Sequence, residues 1–454
     1  MKTLELFEWE RGTQPSPFSD SELRVLKKFN DTIQRKEKAD AITVIYDKIF
    51  TYSYVGVIQI GKKRVEILPK LYNPNVNVSI NSLDPVEQET LKRTARKNLF
   101  HLLSIAGLIP FYKSGISRYG KEQDFFEFLI TLFLNDLENV MGSHFHHEYI
   151  HQSEDLGTIK GKLDFQKQVR KLPSQVHTFS CNYDEFSIDN PLNRIIKATL
   201  KRIQELCRNE DNKKRSFNFY SLMHEIQDEL ITPSYVSRLH FSRLNEKYES
   251  IIEFCCMILF GSTYSAEEGS HHYYALIFDM NLVFEKYVAR LLRNSLKEYT
   301  FDCQADLYLA SEHEPVFNYT RTKKRMIPDI IVRVAGKPLA IIDTKYKPDL
   351  SKGYMSNADT YQMLAYCVAN ESDRAVLLYP KLPNQELLIE RDHCIVLDKM
   401  LKEKKADRTV IISGREIHLF DQNGKILKAM TAEDTQMMRE LLVSQFTPGI
   451  KSDS

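Results

Sequence analysis

The sequence predicts a mixed α/β chain, α+β overall, with a β-rich N-terminal part, a helical middle and a C-terminal domain whose central mixed sheet is flanked by helices. Three observations lead there. Short alternating apolar runs separated by a Gly-Lys turn crowd the first 75 residues. Apolar residues at helical spacing dominate from Val86 to about Leu137, again from Leu192 to Ile203, and Ile251 to Phe260 is a strongly apolar helix. Near the end, β-branched runs at Ile330–Val334, Leu339–Ile342 and Ala375–Tyr379 enclose a helical pattern at Tyr354–Val368.

Length and composition narrow the class. At 454 residues the chain exceeds one ordinary core, so three parts are expected: 1–150, 151–268 and 269–454. Hydrophobic content of 43% and charged content of 27% are those of a soluble globular protein. With 62 Lys+Arg against 61 Asp+Glu the formal charge is +1, which speaks against tight, unaided nucleic-acid binding. Seven cysteines without any C-x-x-C spacing read as reduced, buried thiols. No signal core and no apolar stretch of membrane-spanning length is present, so a cytoplasmic location without membrane contact is expected.

In chain order, Leu4–Trp9 alternates as a strand, Ser19 to about Arg35 is helical, and strands follow at Ala41–Tyr46, Phe50–Ile60 and Val65–Leu68. Asn73–Pro85, rich in Asn, Ser and Pro, reads as a loop or insertion. Leu99 to Ala106 and Phe125 to Leu137 mark two helices. His144, His146 and His147 cluster without a cysteine or carboxylate at ligand spacing, so they are not assigned to a metal. In GTIKGKLDFQKQV a Gly-bounded strand leads into a basic segment, and Asp189-Asn190-Pro191 caps the helix that follows. Residues 205–250 read as helices between exposed turns, and Gly261–Gly269 as a loop at a domain boundary. Ala275–Leu296 reads as the helical start of the last domain, with Phe278, Leu282, Val283, Tyr287, Leu291 and Leu292 as its buried stripe. Strands at Thr409–Ile412 and Ile417–Phe420 and a helix at Glu433–Ser444 close the chain.

The chemistry concentrates in RMIPDIIVRVAGKPLAIIDTKYK. Two apolar runs joined by Gly336-Lys337-Pro338 make a hairpin that returns Pro328-Asp329 to the end carrying Asp343-Thr344-Lys345. Residues two apart in a strand share a face, so Asp343 and Lys345 project together. Two carboxylates and an ammonium at one strand end make a poor core and a good holder for a hard divalent cation beside a water.

Pro328-Asp329 followed by Asp343-Thr344-Lys345 resembles the PD-(D/E)xK nuclease motif. YVGVIQIGKKRVEILPKL, then GTIKGKLDFQKQV with YDEFSIDNPLNRIIK, then that motif, occur in the order found in the McrC family. The resemblance spans about residues 40–370; the segments 73–85 and 205–250 and the end past about residue 400 depart from it. It implies a restriction-endonuclease-like C-terminal domain, and the nuclease subunit of a system directed at 5-methylcytosine DNA. Catalysis would fall to Asp329, Asp343 and Lys345. Mg2+, or Mn2+ as an alternative, would sit on Asp329, Asp343 and the Thr344 backbone carbonyl, with Glu285 of the preceding helix close by. Gln362 and Tyr366, four apart on one helix face, resemble a Q-x-x-x-Y element that lines such sites and contacts DNA. Arg325, ending the basic run from Arg321, suits the DNA backbone. The implied partners are double-stranded methylated DNA and an McrB-like AAA+ GTPase ring on which residues 1–150 would dock. GTP would belong to that partner alone, in keeping with the absence of G-x-x-x-x-G-K-[ST] here. A RecB-like exonuclease, or an assembly subunit with a vestigial nuclease fold, remains open at this point.

Overall fold

The structure, a computed structural model, describes residues 3–12, 16–70, 84–110, 124–142, 145–175, 177–261, 273–314, 319–346, 355–381, 391–397, 408–421 and 424–443. It is mixed α/β, with several sheets and helices. The chain groups into two units: one takes Met1–Gly56, Val65–Tyr112 and Ile277–Ser454, the other Val57–Arg64 and Lys113–Leu276. A four-stranded sheet is ordered Thr3–Phe7, Lys63–Leu68, Tyr54–Ile60, Tyr273–Asp279, and brings a strand from the middle of the chain to three from its start.

The first unit holds a six-stranded sheet ordered Thr300–Cys303, Ile330–Val334, Lys337–Thr344, Arg374–Lys381, Arg408–His418, Arg391–Leu397. Lys337–Thr344 and Arg374–Lys381 run parallel, as do Arg374–Lys381 and Arg408–His418; the outer pairs are antiparallel. Parallel neighbours need a crossover, and the helix Asn357–Ala369 lies in the first of them. Its Met363, Tyr366 and Cys367 pack on Ile341, Ala375, Leu377, Tyr379, Val410 and Ile412. Ser356 caps this helix, accepting the Asp359 N–H while the Asp359 carboxylate accepts the Ser356 N–H. The helix Met280–Ser295 buries Met280, Val283, Phe284, Tyr287, Val288, Leu291 and Leu292.

At the N-terminus, the helix Asp20–Glu37 carries a Ser19–Glu22 capping box and a buried stripe of Leu23, Leu26, Phe29 and Ile33. Arg96, in the helix Pro85–Ile105, is buried against Glu66 at 2.7 Å and also pairs with Glu5. In the second unit, the helices Phe125–Met141, Pro191–Leu206, Glu210–Leu222 and Glu249–Phe260 accompany a three-stranded sheet of Glu148–Leu156, Phe179–Ser187 and Lys162–Leu163. Asn190 caps Pro191–Leu206 as expected, and Asp189 pairs with Arg194 at 2.8 Å. Gly161 has φ +69, and a Cβ there would meet Tyr183 Cβ at 2.5 Å, so the turn in GTIKGKL needs glycine. Arg64 is wholly buried between Asp124 at 2.5 Å and Glu127 at 3.3 Å.

Several expectations are corrected. Residues 275–278 belong to the strand Tyr273–Asp279, and the helix begins only at Met280, capped by Asp279; four apolar residues in a row cannot tell a buried strand from a helix start. Leu282 is exposed, and Phe284 takes its place in the stripe. Residues 409–418 form one strand, not two short ones. Phe50–Ile60 divides at Tyr52-Ser53 into Lys48–Thr51 and Tyr54–Ile60. The strand expected in GTIKGKL is only Lys162–Leu163, and the basic segment after it forms a short helix, Phe165–Val169. Pro85 starts a helix instead of ending a loop, while residues 71–83, like 262–272 at the expected boundary, lie outside the described residues. The basic run from Arg321 to Arg325 lies in the strand Tyr319–Met326, paired with Leu307–Glu314.

Candidate active site

The site is assembled by the hairpin Ile330–Val334/Lys337–Thr344. Its two-residue turn is Ala335-Gly336, with φ +50 and +79, one step earlier than the turn expected. Register pairs Ile330 with Ile342, so Asp329 returns beside Asp343 and Thr344. The Asp329 Oδ2 accepts both the Thr344 N–H and the Thr344 hydroxyl at 2.7 Å, and its carbonyl accepts the Gln304 N–H at 2.9 Å. Asp343 is buried, 3% exposed, with Oδ2 2.8 Å from Lys345 Nζ. The Lys345 ammonium is the cation that faces this oxygen.

The Lys345 ammonium lies among acceptors: Asp343, Asp359 at 3.5 Å and the Gln362 Oε1 at 3.1 Å. Gln362 Nε2 donates to Tyr366 Oη at 2.8 Å, and Tyr366 Oη donates to the Ile327 carbonyl at 3.2 Å. A chain of hydrogen bonds thus runs from the ammonium, through Gln362 and Tyr366, to the backbone just before Pro328-Asp329. The residues four apart on one helix face do meet, and they brace both halves of the motif. Glu285 Oε2 accepts from Gln304 Nε2 at 3.3 Å.

The electrostatics follow from burial and mutual repulsion. Burial, with the Asp329 charge next, pushes the Asp343 carboxyl up to about 6. Burial, then the charge of Asp329, pushes Glu285 up to about 7, with Asp343 adding to it. Asp329 is also raised, by burial against the two Thr344 hydrogen bonds. Burial works against the Lys345 ammonium, but Asp343, Asp359 and Asp329 outweigh it and hold its pKa above the ordinary lysine value. Lys345 is therefore held as a cation here, a hydrogen-bond donor to its neighbours.

Sequence reasoning brought Asp329, Asp343, Lys345, Glu285, Gln362 and Tyr366 to one neighbourhood, and they meet there. It assigned Thr344 a role through its carbonyl; the structure gives its N–H and hydroxyl to Asp329. It missed Gln304 and the ion pair of Asp359, since neither carries a motif and Asp359 reads equally well as a helix cap. Arg325 lies in the strand Tyr319–Met326 opposite Tyr308, and its side chain is outside the described residues. His144 also lies outside them; His147 stacks on Phe186 at 4.9 Å, and His146 tilts on Tyr248 at 5.6 Å.

Among the described residues no group of three His, Cys, Asp or Glu forms a complete metal cage. A hard, water-rich cation does not require one: Mg2+ keeps several waters and is commonly held by one or two carboxylates. The mutually repelling pair of Asp329 and the buried Asp343 is the donor chemistry such an ion takes.

The comparisons with known proteins converge on one system. A family model described as McrBC 5-methylcytosine restriction system component matches residues 49–380, which include the whole hairpin. The Escherichia coli K12 type IV methyl-directed restriction enzyme EcoKMcrBC is 24% identical over 248 residues, 51% of this chain and 70% of that protein. A chain from the Thermococcus gammatolerans assembly of McrB AAA+ hexamers with bound McrC superposes with a TM-score of 0.67 at 20% identity, covering 97% of this chain and 99% of that one. No helix among the described residues is long and apolar enough to cross a membrane. With the family match spanning well over half of its length, the chain belongs to the McrBC 5-methylcytosine restriction system component family.

Proposed function

We propose that this chain is the nuclease subunit of its McrBC system, an McrC-like PD-(D/E)xK enzyme that hydrolyses phosphodiesters of methylated DNA when assembled with an AAA+ GTPase. The single observation that carries the reading is the convergence of Asp329, Asp343 and Lys345 at one end of the hairpin, braced by Thr344, Gln362 and Tyr366. The alternative within the family, the nucleotide-hydrolysing subunit, finds no support in the fold. The nearest approach to a phosphate-binding loop is Gly56 to Lys63, where Lys63 stands in place of Ser or Thr. That stretch forms a strand and a hairpin turn into the strand Lys63–Leu68, whereas such a loop must open onto a helix N-terminus.

Asp329 and Asp343 would hold Mg2+, or Mn2+, with the Thr344 carbonyl and Glu285 as further candidates. Bound there, the ion supplies charge neutralisation at the scissile phosphate and a more acidic water. The chain's own residues do the rest. Thr344 fixes the Asp329 carboxylate by two hydrogen bonds, so that its orientation is set before substrate arrives. Lys345, kept protonated by its carboxylate neighbours, donates to a phosphate oxygen or to the attacking water and stabilises the developing negative charge. Gln362 and Tyr366 keep the ammonium from swinging away. Burial of Asp343 keeps water from screening these charges.

The test combines the full chain with an McrB-type AAA+ subunit, GTP, Mg2+ and methylated or unmethylated plasmid. Wild type should cut the methylated plasmid selectively. Asp343→Ala should lower the cleavage rate about a thousandfold or more, while its stimulation of the partner's GTPase persists. Normal cutting by Asp343→Ala would remove the assignment.

A further inference from the structure

Glu8 has no solvent exposure, yet it carries a carboxylate. It follows the strand Thr3–Phe7, donates its N–H to the Leu68 carbonyl at 2.9 Å and sits in a densely hydrogen-bonded turn. Its Oε1 accepts from Tyr346 Oη and from the Lys70 N–H, both at 2.6 Å, while Oε2 meets no donor among the described residues. Burying a carboxylate with one oxygen undonated is costly, and an apolar residue of similar volume would fill the space more cheaply. Burial raises the Glu8 carboxyl to about 7 against the pull of Tyr346 and Lys70.

What Glu8 grips gives the buried carboxylate a task. Tyr346 directly follows Lys345, and its buried ring tilts against Phe284 at 5.9 Å. Phe284 directly precedes Glu285. One ring therefore spaces the strand end bearing Asp343, Thr344 and Lys345 from the helix bearing Glu285. The Lys345 N–H is already tied to the Leu378 carbonyl at 2.9 Å, so the Tyr346 phenol is the next fixed point along the chain.

We propose that Glu8 is a positioning residue for the catalytic centre: by holding the Tyr346 phenol it sets the end of the strand Lys337–Thr344, and with it the placement of Asp343 and Lys345 relative to Glu285. The inference rests on the nuclease reading above and adds a residue 338 positions away in the chain. Glu8 touches no reacting atom, so its effect runs entirely through Tyr346.

The test uses the full chain and the variants Glu8→Ala, Glu8→Gln and Tyr346→Phe. Two readouts are taken: calorimetric binding of Ca2+ to the chain alone, and single-turnover cleavage of methylated plasmid with an McrB-type subunit and Mg2+. Glu8→Ala and Tyr346→Phe should each slow cleavage at saturating DNA about tenfold and weaken Ca2+ binding several-fold, without changing the DNA concentration that gives half-maximal rate. Glu8→Gln keeps an oxygen for both donors and should recover most of the rate. Positioning is overturned if Glu8→Ala and Tyr346→Phe bind Ca2+ and cut as wild type does, and the nuclease reading then stands. It is equally overturned if Gln and Ala lose alike, or if only the melting temperature falls. A wild-type chain that neither binds Ca2+ nor cuts would overturn the nuclease reading and the positioning role together.

Discussion

Asp343 is a buried carboxyl whose cost to stability depends on pH. Burial and the charge of Asp329 raise its carboxyl to about 6, above the value in an unfolded chain. Between those two values the folded protein binds more protons than the unfolded one, so stability falls as pH rises. The penalty is complete above about pH 6 and absent below the unfolded value. Glu285, raised to about 7, extends the same trend upward. Asp343→Asn removes the penalty for its position. In metal-free buffer it should stabilise the protein at pH 8 by on the order of 2 kcal/mol and change little at pH 4, as thermal melts at the two pH values would show. On the proposed metal assignment protons and Mg2+ would compete for these oxygens, so the rise in melting temperature on adding Mg2+ should grow from pH 5 to pH 8 and vanish in Asp343→Asn.

At the scale of elements, the hairpin and the helix after it do the positioning. The turn Ala335-Gly336 puts a non-glycine residue at φ +50, a conformation that costs an alanine roughly 1 kcal/mol and that asparagine tolerates better. Ala335→Asn should therefore raise the melting temperature without altering cleavage. Ser356→Ala, which removes the cap of the helix Asn357–Ala369, should cost about 1 kcal/mol and slow cleavage, because Asp359, Gln362 and Tyr366 hang from that helix. These elements were legible in the sequence for local reasons: period-two runs around a glycine turn and apolar residues at helical spacing under a serine cap. Asp329, Asp343 and Lys345 were legible because strand alternation fixes their facing. Thr344, Gln304 and Asp359 were not, because their roles lie in hydrogen bonds and ion pairs that form only when separate elements meet. The same limit hid the strand at 273–279, whose sheet partners lie at the start of the chain.

At the scale of the whole molecule, buried ion pairs join segments far apart in sequence. Arg96 binds Glu66 and Glu5 with the Glu66 side chain fully buried, so Glu66→Ala, which leaves the guanidinium short of a partner, should destabilise by about 3–5 kcal/mol in denaturant melts. None of that framework could be derived from composition, whose near-neutral balance spoke only against tight, unaided nucleic-acid binding. Near-neutrality also fits a chain to which DNA is delivered by a partner. The central claim is that Asp329 and Asp343 would together hold a divalent cation, with Lys345 as the neighbouring ammonium. Anomalous diffraction from crystals of the full chain soaked in Mn2+ tests it most directly. A peak bridging those two carboxylates is the result this account predicts; Mn2+ bound elsewhere with this hairpin empty would contradict it.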